Sequence, residues 1–276
     1  MRTGRADDGA FRAEAMLYDY ERAWRPAGIE EIDRNDVCLW RRRGWPASHS
    51  RVVYARWNES NVERGIDEVL AFFGDQPFHW HVGPSSSPND LGERLERRGL
   101  VLVAAPRMMT VNLPLQPPWP RSSSIRIVEV HDEATARMSL ELAHHDGDDI
   151  ERMLPERLAY LALPERRGGF LLAFIDDVPA ANGGYRYSSD GGSVYLTGAE
   201  TVPAYRGRGV YKALVAHRAA AAHMRGCRMA SILANVETSA PILARRGFSD
   251  HGALPRYMPP GAQPVRRPTL ALMRPA

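Results

Sequence analysis

Residues 193–211 read SVYLTGAETVPAYRGRGVY, and this segment carries the clearest structural pattern in the second half of the chain. Its first part, 193–202, is rich in β-forming residues and is followed by a turn of alternating arginine and glycine at 206–209. Apolar residues at 210, 214, 215 and 219 then predict a helix that ends near Gly226. The order strand, glycine-rich turn, helix gathers backbone N–H groups and the positive end of a helix dipole in one concavity, which can bind an anion.

The glycine-rich turn does not match the two commonest phosphate-binding patterns. A Walker loop needs Gly-Lys-Ser/Thr after four intervening residues, and a dinucleotide-binding turn needs a third glycine after Gly207 and Gly209. Taken alone, the turn therefore leaves two interpretations open: a phosphate site, or a tight strand–helix connection without a ligand.

Length and composition predict two globular domains. The 276 residues exceed one typical domain, and 44% hydrophobic with 25% charged residues exclude a wholly disordered chain. Residues 114–124, PLQPPWPRSSS, are rich in Pro and Ser and read as a semi-rigid linker. We therefore predict one domain at 1–113, the linker at 114–124 and a second domain at 125–276.

An internal repeat supports this division. LERRGL at 95–100 is matched by LARRGF at 243–248, and each copy is followed by Pro-Arg-x-Met, at 106–109 and 255–258. Each copy also follows an apolar strand and a short helix. The shared order predicts two diverged copies of one fold.

Composition also indicates where the protein works and which classes of partner it binds. Two cysteines, Cys38 and Cys227, form no CxxC pair and fit a reducing cytoplasm, and neither a secretory signal nor an apolar run long enough for a membrane span is visible. The basic residues are nearly all arginine, with Lys212 the single lysine, which indicates a GC-rich bacterial genome. With a net charge of only +3, we expect neither nucleic acid nor a membrane as partner, and we leave a homodimer open as the assembly.

The stretch VPAYRGRGVYKALVAH, followed by a strand, Asn235 and a helix closing on ARRGF, resembles the Gcn5-related N-acetyltransferase (GNAT) superfamily. The family signature Arg/Gln-x-x-Gly-x-Gly/Ala is matched by 206–211, with Tyr211 in place of the final small residue. The resemblance covers about 125–260. It implies an α/β (α+β) fold class: two tandem GNAT-like folds of mixed, mostly antiparallel sheets flanked by helices. It also implies a splayed parallel strand pair in the C-terminal copy and a two-aspartate hairpin at 176–177.

The resemblance further implies acetyl-CoA as co-substrate, with its pyrophosphate on the glycine-rich loop and its pantetheine arm between strands 193–202 and 229–236. The residues it points to for cofactor binding are Ala199, Glu200, Thr201, Arg206, Gly207, Arg208, Gly209, Val210, Tyr211 and Asn235.

Two side chains are candidates for proton transfer, Glu200 and Tyr195. The usual acid of the family is a tyrosine at the position that Leu243 occupies here, so the sequence lacks it. Strand alternation places 195, 197, 199 and 201 on one face and Glu200 on the other, and a bulge would reset that alternation. The sequence does not decide between the two arrangements.

The acidic segment after strand 125–130 is a candidate acceptor site. Asp146, Asp148 and Asp149 would suit a cationic amine such as an amino sugar or a polyamine, or they could be a polar helix end with a capping role. No calcium loop is formed. His79 and His81 alternate on one strand face without a third ligand, so we interpret them as packing residues rather than a metal site.

The first copy carries no glycine-rich loop after strand 51–57, and Glu59 and Glu63 stand at the start of the next helix, where they repel phosphate. We therefore expect acetyl-CoA to bind in the second copy alone. The function that follows is acetyl-CoA-dependent N-acetylation of a primary amine on a small molecule by direct attack on the thioester. The alternatives are a non-catalytic acyl-CoA-binding or regulatory protein and a protein N-acetyltransferase.

Overall fold

The structure, a computed structural model, describes residues 6–22, 25–119, 123–143 and 147–261. In the first half of the chain the elements are α1 (Ala6–Arg22), β1 (Ile29–Asp33), β2 (Val37–Arg42), β3 (Arg51–Ala55), α2 (Val62–Phe73), β4 (His79–His81), α3 (Leu91–Arg97), β5 (Val101–Ala104) and β6 (Arg107–Asn112). In the second half they are β7 (Ile125–Glu129), α4 (Glu133–Leu142), α5 (Gly147–Leu161), β8 (Gly168–Ile175), β9 (Val178–Tyr187), β10 (Ser193–Thr201), α6 (Val210–Met224), β11 (Met229–Ala234), α7 (Ser239–Ala244), β12 (Ser249–Ala253) and β13 (Arg256–Met258). Two short 3-10 helices, Ala47–His49 and Pro203–Tyr205, complete the set.

The strands form two mixed sheets. The six-stranded sheet has the order β1-β2-β3-β4-β13-β5, and the seven-stranded sheet has the order β12-β6-β11-β10-β9-β8-β7. Parallel pairs are β3 with β4 and β10 with β11, whereas the neighbouring pairs such as β8 with β9 are antiparallel. The predicted fold class is confirmed, including a parallel strand pair in the C-terminal copy.

The described residues fall into two compact units that do not follow chain order. One contains residues 6–18, 25–109 and 233–261, and the other contains 19–22, 110–119, 123–143 and 147–232. The repeat motif Pro-Arg-x-Met leads into β6 and β13, and β13 is an inner strand of the six-stranded sheet. The part of the predicted linker that the structure describes, 114–119 and 123–124, has neither helix nor strand. The contiguous boundaries at 114–124 stay a prediction.

The core of the six-stranded sheet is built on α2. Its apolar residues recur at helical spacing, and Val62, Ile66, Val69 and Phe73 are all buried. They pack with Phe78 and Trp80, and the rings of Phe73 and Phe78 stack with centroids 3.9 Å apart. The helix ends at Gly74, whose φ of 54° suits glycine.

The seven-stranded sheet is covered on both faces by helices. Along β8 successive residues point to opposite faces, so that Leu172 and Phe174 pack with α4 and α5 while Leu171, Ala173 and Ile175 pack with α6. The hairpin to β9 turns at Asp176 and Asp177, with φ of 50° and 60°. Two central residues with positive φ are the two-residue turn that matches strand twist, so this predicted hairpin is confirmed.

No helix in the described ranges is long and apolar enough to cross a membrane.

The inner position of β13 can be tested through Met258, which is 0% exposed. We expect Met258→Ala to lower the free energy of unfolding of the unit that holds the six-stranded sheet by about 2–5 kcal/mol, since the substitution leaves a cavity in a packed core. Urea denaturation followed by tryptophan fluorescence measures the change. The matched control is Met224→Ala, because Met224 is 82% exposed and its truncation creates no cavity. Equal midpoints for the two variants would contradict the placement of β13.

Candidate functional site

The parallel strands β10 and β11 pair over a short stretch and then separate. Their register runs from Ser193 opposite Met229 to Tyr195 opposite Ser231 and stops there, although β10 continues to Thr201. Beyond Tyr195 the edge of β10 that faced β11 has no register partner on that strand. Backbone N–H and C=O groups beside such a gap can pair with an extended chain of amides. The predicted splay is confirmed.

A bulge in β10 lies within the same stretch. The pairing with β9 runs from Val194 to Thr197 opposite Gly184 and resumes at Glu200 opposite Asn182. Gly198 and Ala199 therefore oppose the single residue Gly183, and Gly198 has a φ of 44°.

The bulge decides the open question of which face Glu200 occupies. A Cβ on Gly184 would meet Thr197 and Phe170, whereas a Cβ on Gly183 would meet Arg218 of α6 and Ala199. Thr197 and Ala199 thus lie on opposite faces, although an unbroken strand would place them on the same one.

Alternation from Ala199 brings Glu200 to the face that Tyr195 and Thr197 share. Val202, two residues after Glu200, packs with the α4–α5 core, which agrees with this assignment. The two candidates for proton transfer therefore share one face of the sheet.

Glu200 is held on two sides. Its N–H donates to Oδ1 of Asn182 over 3.2 Å, and its carboxylate lies 3.5 Å from Nη2 of Arg206. The Glu200 side chain is only 17% exposed, while Arg206 is largely exposed. The backbone N–H and the side chain of Glu200 are therefore both bound by neighbouring residues.

The loop that precedes α6 has the geometry of an anion site. Gly207 and Gly209 have φ of 76° and 85°, and Gly209 is the N-cap of α6 without a side-chain hydrogen bond to the helix. A Cβ on either glycine would meet no heavy atom within 4 Å, so backbone conformation and not crowding requires glycine there. The N–H groups of the first turn, at Val210, Tyr211 and Lys212, lie at the positive end of a helix of 15 residues.

Positive charge surrounds this loop. Arg206 and Arg208 belong to it, and the exposed Lys212 follows in the first turn of α6. Arg208 also lies over the ring of Tyr205 and 3.7 Å from the carboxylate of Asp176, with half of its side chain exposed. The arrangement favours a phosphate over a ligand-free turn.

Four further residues were predicted for the cofactor or the acceptor: Asn235, Asp146, Asp148 and Asp149. Asn235 is exposed and its Oδ1 accepts hydrogen bonds from the N–H groups of Glu237 and Thr238, which fixes the turn before α7. Asp149 is partly buried on α5. Roles for both in ligand binding stay predictions. Asp146 lies outside the described residues, as does the side chain of Asp148.

Two buried residues at the bulge were not predicted from the sequence, Asn182 and Arg218. Nδ2 of Asn182 donates to the carbonyl of Ser139 on α4 over 2.8 Å while Oδ1 accepts from Glu200. Arg218 donates to the carbonyls of Gly184 and Thr197. A sequence signal existed for Arg218, because it stands four residues after Leu214 on the apolar stripe of α6.

The first half of the chain has a similar parallel strand pair, but a segment of the chain itself lies where the two strands stop pairing. β3 and β4 pair in parallel at Arg51 with His79 and at Val52 with Trp80. Beyond this point the chain's own segment 85–87 lies beside β3, since the N–H of Ser87 donates to Ala55 and the N–H of Trp57 donates to Ser87.

Charge at the start of α2 also differs from charge at the start of α6. Glu59 and Glu63 lie there, paired with Arg94. The space that would serve a pantetheine arm in this copy is therefore taken by protein, and the helix start is acidic.

Of the two histidines of β4, His81 is buried and His79 is half-buried, and both lie near cations. Burial, with the charges of Arg256 and Arg51, lowers the pKa of His79 to about 3 and lowers the pKa of His81 as well. Among the described residues no group of three His, Cys, Asp or Glu side chains could hold a metal ion.

Comparison with protein families decides the assignment of the second half. The model of the acetyltransferase (GNAT) family matches residues 130–248, which include the separating strands and the glycine-rich loop. This segment belongs to the GNAT family. Membership implies acyltransferase activity, and the resemblance read from the sequence is confirmed.

Solved structures extend the GNAT likeness to the whole chain. A GCN5-related N-acetyltransferase from Kribbella flavida has a TM-score of 0.68 at 16% identity and covers 92% of this chain and 96% of its own. A tandem GNAT protein from the clavulanic acid biosynthesis pathway has a TM-score of 0.60 at 13% identity, with 96% and 97% covered. A glucosamine N-acetyltransferase region of a fungal multi-domain GH3 β-N-acetylglucosaminidase has a TM-score of 0.60 at 12% identity and covers 92% of this chain and 37% of its own.

At these identities the likeness shows the fold, which is two GNAT-like folds in one chain. No protein of curated function matches the chain in sequence.

The GNAT loop can be tested at Gly209 with two variants of nearly equal size. Both Gly209→Gln and Gly209→Glu strain the backbone at a positive φ, at a cost of about 1–2 kcal/mol. We expect the Glu variant to bind coenzyme A at least about tenfold more weakly than the Gln variant, because only its carboxylate repels the phosphates. Isothermal titration calorimetry measures the affinities, and circular dichroism checks that both variants are folded. Wild-type affinity for coenzyme A in the Glu variant would show that this loop does not bind the phosphates.

Proposed function

We propose that the protein is an acetyl-CoA-dependent N-acetyltransferase that acetylates a primary amine of a small molecule. The observation that carries the proposal is the gap that opens beside β10 after Tyr195, next to a glycine-rich loop with cationic side chains at the start of α6. An extended amide chain with a phosphate end fits these two features together. They lie in the segment that matches the GNAT family.

The residues of this copy have the groups that acetyl-CoA needs. The loop glycines Gly207 and Gly209 leave open space beside the N–H groups of α6, and Arg206 and Arg208 add charge for the pyrophosphate. Val210 and Tyr211 supply the first N–H groups of the helix. The backbone at Ala199, Glu200 and Thr201 borders the gap and would pair with the pantetheine arm.

Bound acetyl-CoA supplies an acyl group on a thioester. In the transfer the nitrogen lone pair of the amine forms a bond to the carbonyl carbon and the carbon–sulfur bond breaks. The amine loses a proton, and the departing thiolate gains one. Glu200 is the candidate acceptor of the first proton and Tyr195 the candidate donor of the second, since the bulge brings both to one face. Holding the amine beside the thioester supplies much of the acceleration.

The proposed acceptor is an amine such as an amino sugar or a polyamine. Asp149 on α5, with Asp146 and Asp148 before it in the sequence, would supply carboxylates for a cationic group. One structural neighbour is described as a glucosamine N-acetyltransferase region, which supports an amino sugar as the first compound to assay.

A second candidate function is binding of acyl-CoA without catalysis. Leu243 stands at the family's usual acid position, and it is completely buried in α7. A buried leucine donates no proton to a leaving thiolate. This observation favours a regulatory or binding protein over an enzyme with the common acid.

The two functions are separated by an assay of thiol release. We expect coenzyme A to be released from acetyl-CoA in the presence of one or more amines from a panel of amino sugars, polyamines and short peptides. Free thiol is followed with a chromogenic disulfide, and mass spectrometry checks that the acceptor gains one acetyl group. Tight binding of acetyl-CoA without turnover on any amine would favour the binding protein. Turnover on peptides alone would favour a protein N-acetyltransferase.

Binding stoichiometry is a further prediction. We expect one coenzyme A per chain, because the gap beside β3 is occupied by residues 85–87 and the start of α2 carries Glu59 and Glu63. Calorimetric titration gives the number of sites. In the Gly209→Glu variant this single site should be weakened, and no second site should remain at wild-type affinity. Two comparable sites in the wild type would contradict the proposal.

A further inference from the structure

Arg218 is a buried arginine in the middle of an otherwise apolar helix face. It is 2% exposed, and its neighbours on the same face of α6 are Val210, Leu214 and Ala222. Within its own helix the guanidinium makes one hydrogen bond, from Nε to the carbonyl of Leu214 over 3.1 Å. The rest of the group reaches into the seven-stranded sheet.

The contacts of Arg218 lie at the point where the β9–β10 pairing breaks. Nη1 donates to the carbonyl of Gly184 over 2.8 Å and to the carbonyl of Thr197 over 3.3 Å. These two residues are cross-strand partners and form the last pair before the bulge. A bulge disrupts the ladder of backbone hydrogen bonds, and the guanidinium binds two carbonyls at that place.

Gly183 leaves the space that the guanidinium occupies. A Cβ at position 183 would lie 3.2 Å from Nη1 and 3.4 Å from Cζ of Arg218. Glycine in the interior of a strand weakens it and marks a close approach of another group. Here the approaching group is the side chain of Arg218.

The charge of Arg218 is costly. Burial lowers the pKa of its guanidinium to about 10. In the described part of the chain no carboxylate pairs with it, and its Nη2 is buried without a hydrogen-bond partner. A methionine of similar volume would fill the same space without burying a charge. Stability of the fold alone therefore does not account for an arginine.

The orientation of one peptide group follows from these contacts. The carbonyl of Thr197 shares a single donor with the carbonyl of Gly184 on β9, so it is directed toward β9 and α6. In a planar trans peptide the next N–H points the opposite way. The N–H of Gly198 is thereby directed away from β9, to the edge of β10 from which β11 has separated.

We propose that Arg218 is a positioning residue for acyl transfer: it fixes the Thr197–Gly198 peptide at the bulge and polarises its N–H toward the gap where a thioester carbonyl would lie. This inference rests on the proposed function. A cation bonded to the carbonyl of a peptide strengthens the N–H of that peptide as a donor, because linked hydrogen bonds polarise one another. A stronger donor at the thioester oxygen stabilises the negative charge that develops there as the amine attacks.

The test compares Arg218→Met and Arg218→Lys with wild type, and uses Arg225→Met as the matched control. Arg225 caps the end of α6, is exposed, and touches the ring of Tyr187 instead of the bulge. We expect Arg218→Met to lower kcat about tenfold or more, since the Gly198 N–H would lose the contact that orients and polarises it, and donors to a developing oxyanion have large effects on rate. The affinity for coenzyme A should stay within about threefold, because the phosphate loop is untouched. Arg218→Lys should recover part of kcat, and Arg225→Met should equal wild type.

A spectroscopic readout separates positioning from mere support of the fold. The infrared band of the thioester carbonyl, labelled with carbon-13 in acetyl-CoA, should shift to lower frequency on binding to wild type. The shift should be smaller in Arg218→Met. If Arg218→Met does not fold, Gly183→Ala provides the second variant, because a Cβ 3.2 Å from Nη1 shifts the guanidinium from its two carbonyls while the arginine itself is retained.

The outcomes are distinguishable. Wild type that neither binds coenzyme A nor releases thiol would end the proposed function and this inference together. Wild type that is active, with an Arg218→Met variant of equal kcat and equal band position, would overturn this inference alone. A parallel loss of coenzyme A affinity and kcat would also overturn it, since Arg218 would then only support the packing of α6.

Discussion

The functional half of the molecule depends on one strand, β10, whose regular backbone hydrogen bonding is interrupted on both of its edges. On one edge it leaves β11 after Tyr195, and on the other its ladder with β9 breaks between Thr197 and Glu200. Backbone polar groups in a protein interior need partners, so such a strand is stable only where other groups replace the lost ones. Asn182 and Arg218 do this from opposite faces of the sheet, one at the N–H of Glu200 and one at the carbonyl of Thr197.

The first half of the chain meets the same constraint differently. Its strands β3 and β4 also pair in parallel for a short stretch, and the edge of β3 then pairs with Ser87 of the following segment. The segment is itself anchored, since the N–H of Ser85 donates to the buried carboxylate of Glu14. Because the chain itself pairs with this edge of β3, few backbone groups there remain for a ligand to bind. The two copies thus differ in what pairs with the open strand edge. In the first copy it is a segment of the chain itself, and in the second copy the edge is left open for a ligand.

Much of this was predictable from local sequence. The apolar period of α6, the turn glycines Gly207 and Gly209, and the hairpin at Asp176 and Asp177 are signals that depend on a few neighbouring residues. The repeated Pro-Arg-x-Met motif indicated two copies of one fold, and in the structure it leads into β6 and β13. It did not indicate that β13 lies between β4 and β5, because membership of a sheet is fixed by contacts far apart in the chain.

The site was predicted less completely for the same reason. Whether Glu200 and Tyr195 share a face depends on a bulge that no local pattern in 193–202 requires. The strongest sequence clue lies in β9, where Asn182, Gly183 and Gly184 interrupt a buried strand with residues of low β propensity. Each has a tertiary reason: the amide binds Glu200, one glycine admits Arg218, and the other admits the methyl group of Thr197. A sequence that breaks the local rules of a strand at three successive positions sacrifices strand stability there, and the gain is a bulge held in one geometry.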